Sequence, residues 1–147
     1  MAKITFAQVN LGDSLPPLRC YITQDIIDRY AVASLDYNPV HINAEWCRAA
    51  RNLFPNYFTD STVAHGMTTM SSMASVVTDW AYPEGRITLL DCKFIRPVYP
   101  GDTITCGGIV IEKHPLGKGM DFVVLELFAD NQKGVRVAAG TARVLLP

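Results

Sequence analysis

The sequence predicts an α+β fold in which an antiparallel sheet curls around one long helix. Three observations carry that prediction. The chain changes texture near residue 85, with helical signals before it and strand-like runs after it. Residues 65–80, HGMTTMSSMASVVTDW, form a helical segment without Lys, Arg or Glu, so it offers no obvious solvent face and reads as nearly all buried. Four runs rich in β-branched and aromatic residues then follow one another through short breaks, the arrangement expected of antiparallel neighbours. With 147 residues, 49% hydrophobic and 18% charged, the chain suits one compact domain spanning 1–147 rather than a disordered or two-core protein.

The elements follow in order. The opening MAKITFAQVNLGDSL has one Lys and no apolar run suited to a signal peptide. Thr23 is placed to cap a helix, with Asp25 in its first turn, where negative charge suits the helix dipole. Ile26, Ile27, Tyr30 and Ala31 give that helix one apolar stripe, and it ends near Ser34. The stretch LDYNPVH reads as a stiff loop. Asn43 then caps a short helix, AEWCRAAR, and a loop-like stretch, NLFPNYFTDST, has aromatics that suggest it covers something. In the long helix Met67, Met70, Met73, Ala74, Val77 and Trp80 form the apolar face, mostly as core filler. The strand runs are ITLLDCKFI, TITCGGIVIEKH, MDFVVLELFAD and VRVAAGTARVLL, separated by the turn chemistry of PVYPGD, PLGKG and DNQKG.

Several function classes are disfavoured. The 13 basic and 14 acidic residues are spread along the chain with a formal charge of −1, so there is no basic stripe for nucleic acid or an anionic membrane. No stretch approaches the roughly 20 apolar residues needed to span a bilayer. Cys20, Cys47, Cys92 and Cys106 lie far apart without a C-x-x-C pair, and read as buried thiols in a reducing cytoplasm. No metal motif, P-loop or dinucleotide-binding glycine pattern is present. Ser71 and Ser72 lack the G-x-S-x-G setting of a serine nucleophile. His114, beside Pro115, reads as an exposed turn residue.

Two short stretches can carry chemistry. In LDYNPVH, Pro39 fixes its own φ and biases Asn38 toward an extended conformation, which stiffens the loop between Asp36 and His41. A carboxylate and an imidazole held this way can share a water and move its protons. Asp-x-Asn-Pro is also ordinary turn chemistry, so the spacing alone admits a solvated turn. The second stretch is His65-Gly66 at the start of the long helix. A helix N-terminus offers unpaired N–H groups, and glycine allows a ligand oxygen close to its own. The same glycine would serve helix–sheet packing equally well, and His65 reads as structural.

These pieces together resemble the MaoC-like family of hot-dog-fold (R)-specific enoyl-CoA hydratases and 3-hydroxyacyl dehydratases. The family pattern runs small residue, Gly, Asp, x, Asn, Pro, aliphatic, His; this chain has Ser34, Leu35, Asp36, Tyr37, Asn38, Pro39, Val40 and His41. Ala64-His65-Gly66-Met67 and Arg96-Pro97-Val98-Tyr99-Pro100-Gly101-Asp102-Thr103 match further motifs, in order. The resemblance implies a hydro-lyase of fatty-acid metabolism in which Asp36 and His41 hold the water. The Gly66 N–H would hold the thioester oxygen, while Asn38, Pro39, His65 and Ser71 shape the site. It implies an acyl-CoA or acyl-carrier-protein substrate, no metal or other cofactor, and a homodimer with two sheets joined edge to edge.

Two departures stand out. Leu35 replaces the family's glycine, so a glycine-like backbone there would be strained. The path from His41 to His65 is longer than in short members and contains Leu53-Phe54-Pro55-Asn56-Tyr57-Phe58, which either reshapes the acyl pocket or packs as a surface loop. Two other activities compete: a hot-dog thioesterase, for which the long helix carries only Asp79, and a non-catalytic acyl-binding subunit, which would be expected to lose Asp36 or His41.

Overall fold

The computed structural model describes residues 4–147. A 3-10 turn, Phe6–Gln8, opens the described chain and is closed by reciprocal bonds between Thr5 and Gln8. Strand β1 (Leu18–Tyr21) leads into α1 (Gln24–Ser34), α2 (Pro39–Ile42), α3 (Ala44–Leu53) and the long α4 (Gly66–Ala81). Four strands complete the fold: β2 (Arg86–Phe94), β3 (Thr103–His114), β4 (Phe122–Asp130) and β5 (Arg136–Leu145). This is the α+β hot-dog arrangement, an antiparallel five-stranded sheet lying around α4, which touches all five strands.

Local chemistry sets most boundaries as expected. The Thr23 hydroxyl accepts from the Ile26 N–H and caps α1, and the Asn43 side chain does the same for Trp46 at the start of α3. β4 shows the period-two alternation of a half-buried strand: Val123, Leu125, Leu127 and Ala129 point inward at 0% exposure. Met73, Val76 and Val77 of α4 join them, with Ile104, Cys106, Val110, Ala142 and Val144, in one continuous core. Each large apolar side chain buried there contributes roughly 1.5–3 kcal/mol.

The structure corrects four sequence expectations. A fifth strand, β1, lies outside the four predicted runs; it has only four residues after Pro16-Pro17, and pairs with β3, Leu18 opposite Cys106. The strands follow the order β1-β3-β4-β5-β2, so consecutive pairing holds for β3, β4 and β5 but fails for β2. Residues 95–102 carry the chain across the sheet instead, tethered where Ile95 N–H donates to Val137 O at 2.8 Å. His65 is the N-cap of α4 rather than its first residue. Finally, α4 is not nearly all buried: Met67 is 49% exposed, and Ser71, Thr78 and Asp79 are exposed too, because Thr69 and Val76 take inward positions. Among the described residues no helix is long and apolar enough to cross a membrane, and all four cysteines are free, with Cys47 and Cys106 buried.

Candidate active site

The site grows out of the turn that ends α1. Leu35 adopts φ 59°, ψ 23°, the left-handed conformation that reverses the chain at a helix C-terminus. Ser34 braces this reversal: its hydroxyl donates to Tyr30 O at 2.7 Å and accepts the Asp36 N–H at 3.3 Å. Asp36 Oδ1 accepts the Asn38 N–H at 3.2 Å, an Asx turn that fixes the carboxylate against its own backbone. Asn38 is extended (φ −55°, ψ 127°) as the following proline demands, and its Oδ1 caps α2 through the Val40 N–H at 3.2 Å. The predicted loop is therefore half helix. Pro39 occupies the first helical turn, where a missing N–H costs nothing, and His41 rides on that turn.

Gln24 and Thr62 tie this assembly to the body of the protein. Gln24 Nε2 donates to His41 O at 3.0 Å, and its Oε1 accepts the Thr62 hydroxyl at 2.6 Å. Residues 63 and 64 form a bridge: the Val63 N–H donates to Val40 O at 3.1 Å and the Ala64 N–H to Val98 O at 2.8 Å. The start of α4 is thereby sewn to α2 on one side and to the segment after β2 on the other.

Three side chains meet here. His41 Nδ1 lies 2.7 Å from Val63 O; a carbonyl only accepts, so Nδ1 carries the proton and the neutral ring keeps its lone pair on Nε2. That Nε2 is 3.8 Å from Asp36 Oδ2. His65 Nε2 lies 3.0 Å from Asp36 O and donates to it, while Asp36 Oδ2 is 3.9 Å away. The two imidazoles stack with centroids 3.8 Å apart and planes at 25°, and the Tyr30 ring lies tilted against His65 at 4.8 Å. His65 is thus no bystander at a helix start: it is 3% exposed and supports both Asp36 and His41. Its Nδ1 is buried without a hydrogen-bond partner among the described residues. Asp36, half exposed, faces solvent. A gap of 3.8 Å is too long for a direct hydrogen bond and suits two groups that share a water.

Two histidines and a carboxylate whose ligating atoms lie within 4.8 Å of one another are also a donor set for a divalent metal. The hydrogen bonding argues against that use. His65 Nε2 would have to surrender its proton to Nδ1, which has no acceptor, and an unpaired buried donor costs about 1–3 kcal/mol. The cluster fits proton transfer better than ligation.

Gly66 follows directly. Its N–H makes no hydrogen bond among the described residues and heads a sixteen-residue helix, so it carries the partial positive charge of the N-terminus. A Cβ at this position would come within 2.9 Å of the Phe94 ring, so packing as well as access requires glycine here. A cavity of about 370 Å³ opens beside it, walled by Val63, Ala64, Thr69, Phe94, Val98 and Val137. Ser71 is not gathered in: it is exposed, and its hydroxyl turns back to Met67 O at 2.8 Å. Asp79 stands thirteen residues further along α4, about 20 Å at 1.5 Å per residue. His114 ends β3, stacked on Phe122 at 4.4 Å and bonded to Glu112 at 2.7 Å, rather than lying in a turn. In the 53–58 stretch Leu53, Phe54 and Tyr57 are exposed at 74%, 55% and 84%, and only Phe58 packs inward, edge-on to Trp46.

The sequence does not mark Gln24, Thr62, Val63 or Phe94 as site residues, and it shows Tyr30 only as part of the apolar stripe of α1. Nothing local marks them, because each acts across a separation of 17 residues or more, as in the Gln24–His41 bond.

Comparison with known proteins gives this arrangement a context. The family described as MaoC like domain matches residues 9–126. The chain is 29% identical over 126 residues to fatty acid synthase 2 of Mycosarcoma maydis, which covers 80% of this chain but only 3% of that much longer protein. The unliganded R-hydratase PhaJ1 of Pseudomonas aeruginosa superposes with a TM-score of 0.82 at 27% identity, covering 99% of this chain and 86% of that one. The ChsH1-ChsH2 complex of Mycobacterium tuberculosis shares the fold, with a TM-score of 0.78 at 22% identity over 95% of this chain and 100% of that one.

Proposed function

This chain belongs to the MaoC-like dehydratase family of hot-dog proteins, and we propose that it adds water reversibly to trans-2-enoyl thioesters to give (R)-3-hydroxyacyl thioesters. The observation that carries the proposal is the His41 tautomer. With Nδ1–H bound to Val63 O, the Nε2 lone pair is held 3.8 Å from the Asp36 carboxylate, the spacing of a pair that grips one water.

The chemistry then runs as follows. Water sits between His41 Nε2 and Asp36 Oδ2. Nε2 takes one of its protons as the oxygen bonds to C3 of the enoyl group, and the C2–C3 π pair moves toward the thioester carbonyl. The Gly66 N–H holds the oxygen that gains charge, at a helix end whose dipole favours it. The proton on His41 is returned to C2, the carbonyl re-forms, and the elements of water have been added. Asp36 stabilises the transient imidazolium and orients the attacking oxygen. Asn38 and Pro39 fix the loop, and His65 anchors the Asp36 backbone. The scheme calls on no metal or redox cofactor. The acyl group arrives on a phosphopantetheine thioester, as coenzyme A or acyl carrier protein. A second copy of the chain joins along the free edge of β2, continuing one sheet into the other.

Thioester hydrolysis is the poorer reading, since Asp79 lies at the wrong end of α4 to direct water at a carbonyl near Gly66. The test follows the loss of enoyl-thioester absorbance when crotonyl-CoA is added to wild type, Asp36→Asn and His41→Ala. Rapid loss by wild type, with at least a roughly hundredfold lower rate in both variants, is the result expected of acid–base groups. Both side chains are partly exposed, so folding of the variants is readily checked by circular dichroism. Turnover that survives both substitutions overturns the mechanism, and release of free thiol would mark a hydrolase instead.

A further inference from the structure

The cavity at Gly66 does not end at Phe94. Its wall continues through Arg96 and Pro97, and these two residues also line a second cavity of about 280 Å³, completed by Tyr99, Asp102, Asn131 and Lys133. Arg96 and Pro97 border both spaces, which taken together make a groove with an apolar part beside the Gly66 N–H and a polar, cationic end. Its course is fixed by backbone bonds: Ala64 N–H to Val98 O at 2.8 Å on one side, and Arg96 N–H to Val137 O at 3.2 Å on the other.

Charge at that end is unspent. Arg29, Arg51 and Arg136 are committed to Asp25, Asp60 and Asp130. The exposed Arg96 guanidinium and Lys133 ammonium make no hydrogen bond or ion pair among the described residues. The one carboxylate lining the cavity, Asp102, is already engaged: Oδ2 accepts the Tyr99 N–H at 2.8 Å, and Oδ1 accepts Gln132 Nε2 at 2.7 Å. It organises the 99–102 turn and is satisfied there, which leaves the two cations facing the groove without partners.

We propose that Arg96, assisted by Lys133, pairs with the phosphate of a coenzyme A thioester whose carbonyl lies at Gly66 N–H, and so sets the carrier specificity of the site. This rests on the thioester reading given above. The pantetheine arm would run along the border that the two cavities share, and a guanidinium fork matches phosphate oxygens bidentately. Coenzyme A is the favoured source of that phosphate. The cations are two and confined to the groove end, whereas an acidic carrier protein would need a broad basic face, and this chain spreads 13 basic and 14 acidic residues.

Arg96→Gln and Lys133→Gln test the assignment with two substrates, crotonyl-CoA and the crotonyl thioester of N-acetylcysteamine, whose arm stops short of the phosphate. For crotonyl-CoA, Arg96→Gln raises KM about ten- to a hundredfold with kcat near wild type, the range of a charge-assisted pair. Lys133→Gln has a smaller effect in the same direction. The wild-type KM climbs with salt, and that of Arg96→Gln does so less. On the truncated thioester, wild type and variants behave alike. Equal KM values for crotonyl-CoA in wild type and Arg96→Gln overturn the proposal. A KM that rises equally on both substrates does so too, since it would mark damage to the site. An Arg96-sensitive KM on crotonyl–acyl carrier protein, without turnover of crotonyl-CoA, overturns the coenzyme A assignment. If wild type turns over none of these thioesters, the hydratase reading fails separately. Calorimetry with free coenzyme A still decides the present one: weaker binding by Arg96→Gln supports it, and equal or absent binding refutes it.

Discussion

Leu35 shows what a single backbone angle costs at this site. It is 77% exposed, so its side chain packs little, yet its φ of 59° lies where L-residues clash with their own carbonyl. That conformation costs roughly 1–2 kcal/mol, and glycine adopts it freely at the expense of a more flexible unfolded chain. Leu35→Gly should therefore stabilise the protein by about 0.5–1 kcal/mol and raise Tm by a few degrees. An unchanged or lower Tm would mean that the left-handed turn is not strained here. The same residues show how far the site was legible. Asp36, Asn38, Pro39 and His41 sit within six positions, and their roles follow from local turn and cap chemistry that any sequence displays. The support of Asp36 by His65 spans 29 residues, and the bond from His41 to Val63 spans 22. Neither separation leaves a local trace, so the sequence shows neither the partner that His65 supports nor the part played by Val63.

At the level of elements, the helices with side-chain caps and the strands with clear alternation were legible, while β1 and the place of β2 were not. β1 is too short to show a pattern. β2 looks in sequence like its neighbours, and only the long-range pairing of Cys92 with Gly140 and Phe94 with Ala138 reveals that it lies against β5 at the far edge. That edge has a consequence. β2 is nine residues long, its outer side has no partner strand among the described residues, and Leu89, Phe94 and Ile95 are 47%, 46% and 45% exposed on it and just beyond. An exposed apolar edge of this length is a template for pairing. Sedimentation should find the protein at about twice its 16.2 kDa chain mass. Leu89→Lys, which brings like charges together across a two-fold pairing, should weaken the dimer by at least about tenfold. A wild type that sediments as a monomer at all accessible concentrations would refute pairing along β2.

Over the whole molecule, sheet and helix share one core, and its stability should carry a signature of the thiol at its centre. Cys106 is fully buried in β3, between strands β1 and β4. Burial chiefly, with smaller contributions from Cys20, Cys92 and Asp130, pushes its pKa from 9.0 up to about 12. The fold thus holds this proton to higher pH than the unfolded chain does. Between those values the native state binds more protons, so unfolding free energy falls as pH rises. The contribution is intact below pH 9.0 and is lost on the way to about pH 12, with a limiting slope near 1.4 kcal/mol per pH unit from this one group. Urea titrations of wild type and Cys106→Ala from pH 8.5 to 10.5 isolate it. The alanine variant starts lower because of its small cavity, but its stability should decline less steeply, since every other titrating group is common to both proteins. Parallel declines would mean that the Cys106 thiolate is tolerated inside the fold, and that the core is more accessible to water than its packing implies.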